Sequence, residues 1–389
     1  ADFVSSHAQI HAQTGATIYV SKLLGADYDH QGFDDGDSLE MGKINFKALN
    51  TPGHSPDSIT IVAEDKKKTA LFTGDTLFVG DVGRPDLREK VGNMKAKRVE
   101  LAKQMYQTMQ QKFNDLPDNS LVYPAHGAGS LCGKNLGSGS SSTLKNERKH
   151  NWAFQKQTEE EFVDTILKDQ PFIPSYFGFN VDVNKSGAEN VQKTKSEVNL
   201  NVSVEKILTE SKVVDARDGE SYKSGHLPNS INIMARNDDD SYETWLGAII
   251  KPKEDFYLVV AGVDEVSTIL ERTAKIGYEK QLKGVVTLSK TVSAKPDELN
   301  LKDFKKHQEN YTIVDIRNEN ELTEGKIFQN AIEIPLYELR DRAGEIPSNK
   351  PIVVHCAGGY RSAAGASILE SKFRSTKVFD LGEDIEKFN

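Results

Sequence analysis

Cysteine is almost missing from this chain: among its 389 residues there are two, Cys132 and Cys356. So few thiols, so far apart, argue against a disulfide-stapled scaffold and point to a reducing compartment, the cytoplasm. Long apolar runs are missing as well, and none approaches the roughly 20 residues that cross a bilayer. Positive charge is in the minority, with 49 Lys and Arg against 58 Asp and Glu for a net charge of −9. A surface that binds phosphate needs a cationic face, so nucleic acid is not the expected partner, and neither is a membrane. The opening Ala1-Asp2-Phe3-Val4-Ser5-Ser6-His7 has no initiator Met, basic n-region or apolar h-region and reads as the middle of a folded domain. The first domain is therefore expected to lack its N-terminal part.

What remains is an ordinary globular composition, 37% hydrophobic and 28% charged, in a chain too long for one core. Short β-type runs at 44–49, 58–63 and 69–73 are separated by turns, and Leu121-Val122-Tyr123 is another. Between them, Ala102, Met105, Tyr106, Met109 and Phe113 form the apolar stripe of a helix over 95–113. The chain turns polar over 178–198, where a linker is expected. Beyond it lies a duplication: Val213-Val214-Asp215-Ala216-Arg217 returns 100 residues later as Ile313-Val314-Asp315-Ile316-Arg317, and Gly225 returns as Gly325. A period that long, occurring twice, marks a duplicated domain rather than a solenoid. The expected organisation is an α/β multidomain chain with domains at 1–177, 199–290 and 291–389.

Three loops carry metal-type chemistry. Thr51-Pro52-Gly53-His54-Ser55 sets an imidazole in a tight turn, Thr73-Gly74-Asp75-Thr76 sets a carboxylate past a strand end, and Pro124-Ala125-His126-Gly127 adds a second imidazole. Loops at strand ends are where a rigid scaffold presents ligands, and His with Asp suits a borderline divalent ion. His7 and His11, four apart without a Glu beside the first, read instead as a surface helix pair. In their order and spacing the three loops resemble the later motifs of the metallo-β-lactamase superfamily.

That resemblance implies an αββα sandwich and places the superfamily's leading His-x-His-x-Asp-His motif at the start of the chain, so that a further His ligand precedes residue 1. Phe3 then stands where the last His of that motif belongs, which favours the mononuclear iron branch, the persulfide dioxygenases. Carried over residue by residue, His54 and Asp75 are ligands of one Fe(II) per chain, and Asp2 and His126 orient them from behind. Zinc is the substitute metal. Arg84, in the segment after the Gly-Asp motif, is expected either to hold an anionic substrate or to form a structural ion pair. Cys132 is either a sulfur relay or a buried thiol. The Asn-Pro-Arg stretch of glutathione-using members has Asn151-Trp152-Ala153 as its nearest match, without the Arg, which favours another low-molecular-weight persulfide.

The segment Val353-Val354-His355-Cys356-Ala357-Gly358-Gly359-Tyr360-Arg361-Ser362 ends a buried strand at a thiol and follows it with a glycine-rich loop and a helix. Inward-turned amides, a helix N-terminus and the Arg361 charge each favour the thiolate, the nucleophilic form. Four residues separate Cys356 from Arg361, where the cysteine phosphatases place five, so the ring resembles the rhodanese sulfurtransferases and is sized for one sulfur atom. In the first copy Gly262 stands at the position of Cys356, and Asp264 and Glu265 follow, so that copy is expected to carry no sulfur. Asp315 and Arg317 match the structural Asp-x-Arg element of rhodaneses.

Together these readings resemble the bacterial fused persulfide dioxygenase–rhodanese enzymes: a thiol persulfide and O₂ as substrates, sulfite and thiosulfate exchanged through Cys356, and a chain compatible with homo-oligomers. Two alternatives stay open. One is a glyoxalase-II-like dinuclear zinc thioester hydrolase with accessory rhodanese domains, and the other is a non-catalytic sulfur carrier with a decayed metal domain.

Overall fold

A computed structural model describes residues 2–87, 98–200, 202–204, 207, 212–288 and 294–388. The chain divides into two compact units, Ala1–Ile173 with Phe177–Glu189, and Pro174–Tyr176 with Asn190–Asn389.

The first unit is built on a six-stranded sheet in which Ser38–Met41, Ile44–Asn50, Ile59–Glu64, Thr69–Gly74, Leu121–Pro124 and Ser142–Thr143 lie side by side in that order. All neighbours are antiparallel except Thr69–Gly74 and Leu121–Pro124, which run parallel with Phe72 opposite Tyr123. Side chains alternate across the sheet, so Leu71 and Thr73 are buried while Phe72 between them is exposed. The parallel pair brings two strand ends, Gly74 and Pro124, to the same edge, and the loops carrying Asp75 and His126 leave from there. A short parallel pair, Tyr19–Val20 with Gln31–Gly32, lies earlier in the chain. The core beneath the large sheet combines Val62, Leu71 and Val122 with Met105 and Met109 of the helix Arg98–Gln111 and Phe162 and Ile166 of Glu159–Leu167. Residues 95–97 of the helix expected from the sequence lie outside the described residues.

The second unit shows the duplication directly. One parallel sheet has the order Ser230–Asn232, Lys212–Asp215, Phe256–Val260, Leu282–Thr287, and the other Ile332–Glu333, Thr312–Asp315, Ile352–His355, Val378–Asp380. Both are buried on two faces, which explains their near-continuous apolar strands. Each copy carries the same internal staple. Arg217 donates to Asp215 at 2.6 Å and to the Gly225 carbonyl at 2.9 Å; Arg317 donates to Asp315 at 2.7 Å and to the Gly325 carbonyl at 2.9 Å.

The stretch 178–198 corrects the sequence reading. It contains two helices, Tyr176–Ser186 and Val191–Ser196, rather than an open linker. The division between the units does fall there, but its backbone is satisfied internally: Asn190 caps the second helix through the amides of Gln192 and Lys193. Polar side chains broke the apolar period, yet Tyr176, Phe177 and Asn180 of the first helix and Thr194 of the second are buried.

Asp315 is buried with its charge met mainly by the Arg317 fork. Arg317→Met leaves an uncompensated buried carboxylate and is expected to lower the stability of this unit by about 3–5 kcal/mol. Urea unfolding followed by circular dichroism checks this, and a transition matching the unsubstituted chain would contradict it.

Candidate metal centre and cysteine site

Asp75 follows Gly74, whose φ of +53° makes the sharp exit from the strand. His54 leaves the neighbouring turn, and a buried hydroxyl cluster joins the two loops: Thr51 Oγ1 lies 3.1 Å from Thr60 Oγ1 and 3.0 Å from Thr76 Oγ1. Thr76 also donates to the Thr51 carbonyl at 3.2 Å. The threonines of both motifs thus hold the loops together from inside the sheet. Behind them Gly83 packs so closely that a Cβ there would meet the Asp75 carbonyl at 1.9 Å and the His54 ring at 3.0 Å.

The result is one carboxylate between two imidazoles. His54 Nε2 is 3.3 Å from Asp75 Oδ2, and His126 Nε2 is 3.3 Å from Asp75 Oδ1. Asp2 joins from the other side of His126, its Oδ2 3.7 Å from Nδ1. Burial alone would raise the Asp75 carboxyl, but the His126 hydrogen bond and the charges of His54 and His126 hold it well below the usual carboxylate range. Burial works to lower His126; its bond to Asp75 and the charges of Asp75 and Asp2 outweigh that and raise it. Ligand atoms of His54, Asp75 and Cys132 lie within 4.8 Å of one another, as do those of Asp2, His126 and Cys132. Buried and half-buried nitrogen, carboxylate and sulfur donors so close together fit a borderline divalent metal, with His54 and Asp75 as the protein groups that would hold it.

The structure thus brings His54, Asp75, Asp2, His126 and Cys132 to one place. Cys132 is fully buried and donates from Sγ to Asp2 at 3.2 Å, while Ser130 donates to the other Asp2 oxygen at 2.6 Å. Burial first, then the nearby Asp75 and Asp2 charges, push its thiol well above the ordinary range. Arg84 is elsewhere in role: it is buried, closes its fork on Asp86 at 2.7 and 2.6 Å, and donates to the Leu131 carbonyl. That geometry leaves its guanidinium to the scaffold rather than to a substrate. The Asn151-Trp152 pair is scaffold too. Asn151 donates to the Asp81 carbonyl, and Trp152 Nε1 donates to the Asp81 carboxylate at 2.8 Å, which also takes the amides of Lys134 and Asn135. Sequence reasoning missed Asp81, Gly83 and Thr51; a lone Asp or Thr in a loop has no signature until its partners are known.

Cys356 ends the strand Ile352–His355, and the helix Tyr360–Lys372 begins four residues on. The Gly359 amide donates to Cys356 Sγ at 3.1 Å. Gly359 has φ +94°, and a Cβ there would press on Glu383 N and Gly382 C at 2.6 Å, so only glycine turns the loop at this point. Arg361 donates to both carboxylate oxygens of Glu321, and against the lowering effect of burial Glu321 first and Cys356 after it raise its guanidinium. Ser362 donates to the Gly359 carbonyl at 2.9 Å, and Ala357 and Gly358 form the exposed lip. In the middle copy the Ala261 amide is taken by Glu265 Oε2 at 3.1 Å. A carboxylate of the chain itself thus bonds the amide just before Gly262.

Comparison with known proteins agrees with this division. The metallo-beta-lactamase superfamily matches residues 14–126, and the rhodanese-like domain matches twice, at 200–288 and 300–389. The crystal structure of a metallo-beta-lactamase from Staphylococcus aureus subsp. aureus COL is 32% identical with a TM-score of 0.65, over 74% of this chain and 82% of that one. The mitochondrial persulfide dioxygenase ETHE1 of Bos taurus is 31% identical over 44% of this chain and 58% of its own length. A hydroxyacylglutathione hydrolase of Dictyostelium discoideum is 32% identical over 36% of this chain and 50% of its own. The chain spans about half the length of these curated relatives. It belongs to the metallo-beta-lactamase superfamily and carries two rhodanese-like domains behind that fold, matching a fused ETHE1–rhodanese architecture.

Because Gly83 backs both candidate ligands, Gly83→Ala is expected to weaken metal binding by about tenfold or more while the far-ultraviolet spectrum stays unchanged. Equilibrium metal titration reads the effect, and affinity equal to that of the unsubstituted protein would refute the assignment.

Proposed function

We propose that this chain belongs to an enzyme that oxidises a low-molecular-weight thiol persulfide to sulfite with O₂ and moves sulfane sulfur through Cys356. The observation that carries the reading is the pairing, in one chain, of an imidazole–carboxylate centre with a buried thiol whose sulfur accepts the amide of a glycine-rich loop. The overall reaction balances as persulfide plus O₂ plus water giving thiol, sulfite and two protons. A ferrous ion, when bound, supplies redox chemistry with dioxygen and an open position for sulfur. His54 and Asp75 would hold it, with a further imidazole implied by the family resemblance. His126 faces Asp75 at 3.3 Å, and Asp2 faces the other nitrogen of His126. Buried Leu77, Phe78 and Val82 limit water around these loops.

At the second site the Cys356 thiolate attacks the outer sulfur of thiosulfate. A Cys356–sulfur bond forms, the sulfur–sulfur bond of thiosulfate breaks, and sulfite leaves with the electron pair. The Gly359 amide and Arg361 stabilise the negative sulfur before and after transfer. The middle domain carries no sulfur, since its loop holds Gly262 in place of a thiol and binds its own Glu265. Two free thiols fit a reducing compartment, and a cytoplasmic location is part of this reading. No helix among the described residues is long and apolar enough to cross a membrane.

A dinuclear zinc thioester hydrolase is the second reading. It is favoured by the Asp2, His126 and Cys132 donor group beside His54 and Asp75. Against it, Phe3 offers no donor where a ligand would be needed; its ring is largely exposed and its carbonyl accepts from Asn184. Metal analysis separates the two, one iron per chain against two zinc.

With iron loaded without air, persulfide-dependent oxygen uptake is expected, with sulfite appearing. Cys356→Ser should keep the oxygen uptake and lose sulfur transfer from thiosulfate, whereas Asp75→Asn should do the reverse, each loss reaching background. Loss of both activities in Cys356→Ser would end the claim that the sites are separable.

A further inference from the structure

Arg361 is gripped from two sides. Its Nη1 and Nη2 donate to Glu321 Oε2 and Oε1 at 2.5 and 2.6 Å, within its own domain. Its Cζ also lies 5.8 Å from the ring centre of Trp245, on the helix Tyr242–Ile249 of the middle domain. Trp245 is buried. The next residue of the loop is held across the same boundary: the Tyr360 hydroxyl donates to the Met234 carbonyl at 2.7 Å, and Arg236 sits 5.9 Å over the Tyr360 ring. Farther out, Arg340 closes on Glu254 at 2.9 and 2.7 Å, joining the two domains. Glu321 is fixed in turn, because its Oε2 takes the Asn318 amide at 3.0 Å in a capping box.

A guanidinium that closes the Cys356 loop, whose Gly359 amide already donates to the sulfur, and that also makes a bidentate pair with Glu321 has its charge divided between the two. Left with Glu321 alone, it would have every reason to turn wholly towards that carboxylate, since bidentate pairs are strong and planar. An aromatic face resists this, attracting the cation while adding no competing negative charge. We infer that Glu321 and Trp245 are opposed positioning residues for Arg361, and that the cysteine-less middle domain, through Trp245, completes the site of Cys356. This rests on the sulfur-carrying role proposed above. The middle domain then has a physical task that its own degenerate loop does not suggest.

The other charged and titratable groups around the thiol are known from the same packing. His355 precedes it, with Nε2 3.7 Å from Asp315, itself paired to Arg317. Burial raises the Tyr360 phenol, keeping it neutral. Arg236 is neutralised by Asp240, and Glu383 backs the loop at Gly359. Of these groups Arg361 alone is a cation within the Cys356 loop itself, so a change at Glu321 or Trp245 reaches Cys356 through Arg361.

The two positions make opposite predictions, which modification of Cys356 by methyl methanethiosulfonate reads across pH without any sulfur substrate. In the full chain, Trp245→Leu, similar in burial but without a π face, is expected to slow modification at neutral pH by about three- to tenfold. Trp245→Phe should restore most of the rate. Glu321→Gln, which frees the Arg361 charge for the thiolate, should speed it by a similar factor. Rates for Trp245→Leu and Glu321→Gln that shift in the same direction, or an unshifted Glu321→Gln profile, would overturn the inference, and the latter holds even if the Leu variant fails to fold. Should the unsubstituted protein transfer no sulfur from thiosulfate while these rates move as expected, the proposed function fails and the clamp stands.

Discussion

Asp75 is a carboxylate largely shielded from water, and the loops around it are arranged to meet its charge. Burial disfavours a charge strongly unless donors surround it, and here His54 and His126 approach its two oxygens at equal distance. Those imidazoles come from loops at neighbouring strand ends, so the order of strands in the sheet is what makes the arrangement available. The threonine cluster and the bare backbone of Gly83 then fix the loops at a spacing that larger side chains would prevent. The same arrangement that satisfies a buried anion also presents closely spaced donors to a divalent ion.

The cysteine site answers the same requirement with different parts. The Cys356 sulfur, just past the end of a parallel strand, accepts the Gly359 amide and sits beside a helix start that carries Arg361. In the duplicated domain, which has Gly262 at the thiol's position, the Ala261 amide just before it is taken by Glu265 of the same chain. Both copies keep the Asp-x-Arg staple, at matching distances, because that ion pair secures the strand-to-helix turn whether or not sulfur is carried. Fold and chemistry have therefore separated in the middle copy. What it retains is a surface against which Arg361 and Tyr360 rest.

Much of this was legible in the linear chain, and for identifiable reasons. The 100-residue repeat, the strand runs ending at Asp75 and Cys356, and the four-residue spacing between Cys356 and Arg361 are local patterns, set by neighbours in sequence. His54, Asp75 and His126 declare themselves because a polar ring or carboxylate in a turn after an apolar strand is uncommon without a task. The 178–198 stretch misled for the converse reason. Helices held by a cap and a few buried polar anchors, Asn190, Asn180 and Thr194, have no apolar period to read.

The amino-acid order by itself determined the class of fold, the duplication, which copy keeps a thiol, and which residues are proposed to bind a metal or carry sulfur, since each depends on side-chain type and short-range spacing. Only tertiary structure decided how they are used. It turned Arg84 onto Asp86 and gave Asp81 to Trp152 and two loop amides. It set Cys132 against Asp2, and it placed Trp245 of one domain beside Arg361 of another. Those pairings join residues tens to more than a hundred positions apart, or depend on which way a long side chain points once buried. Local sequence has no means of specifying either before the chain is packed.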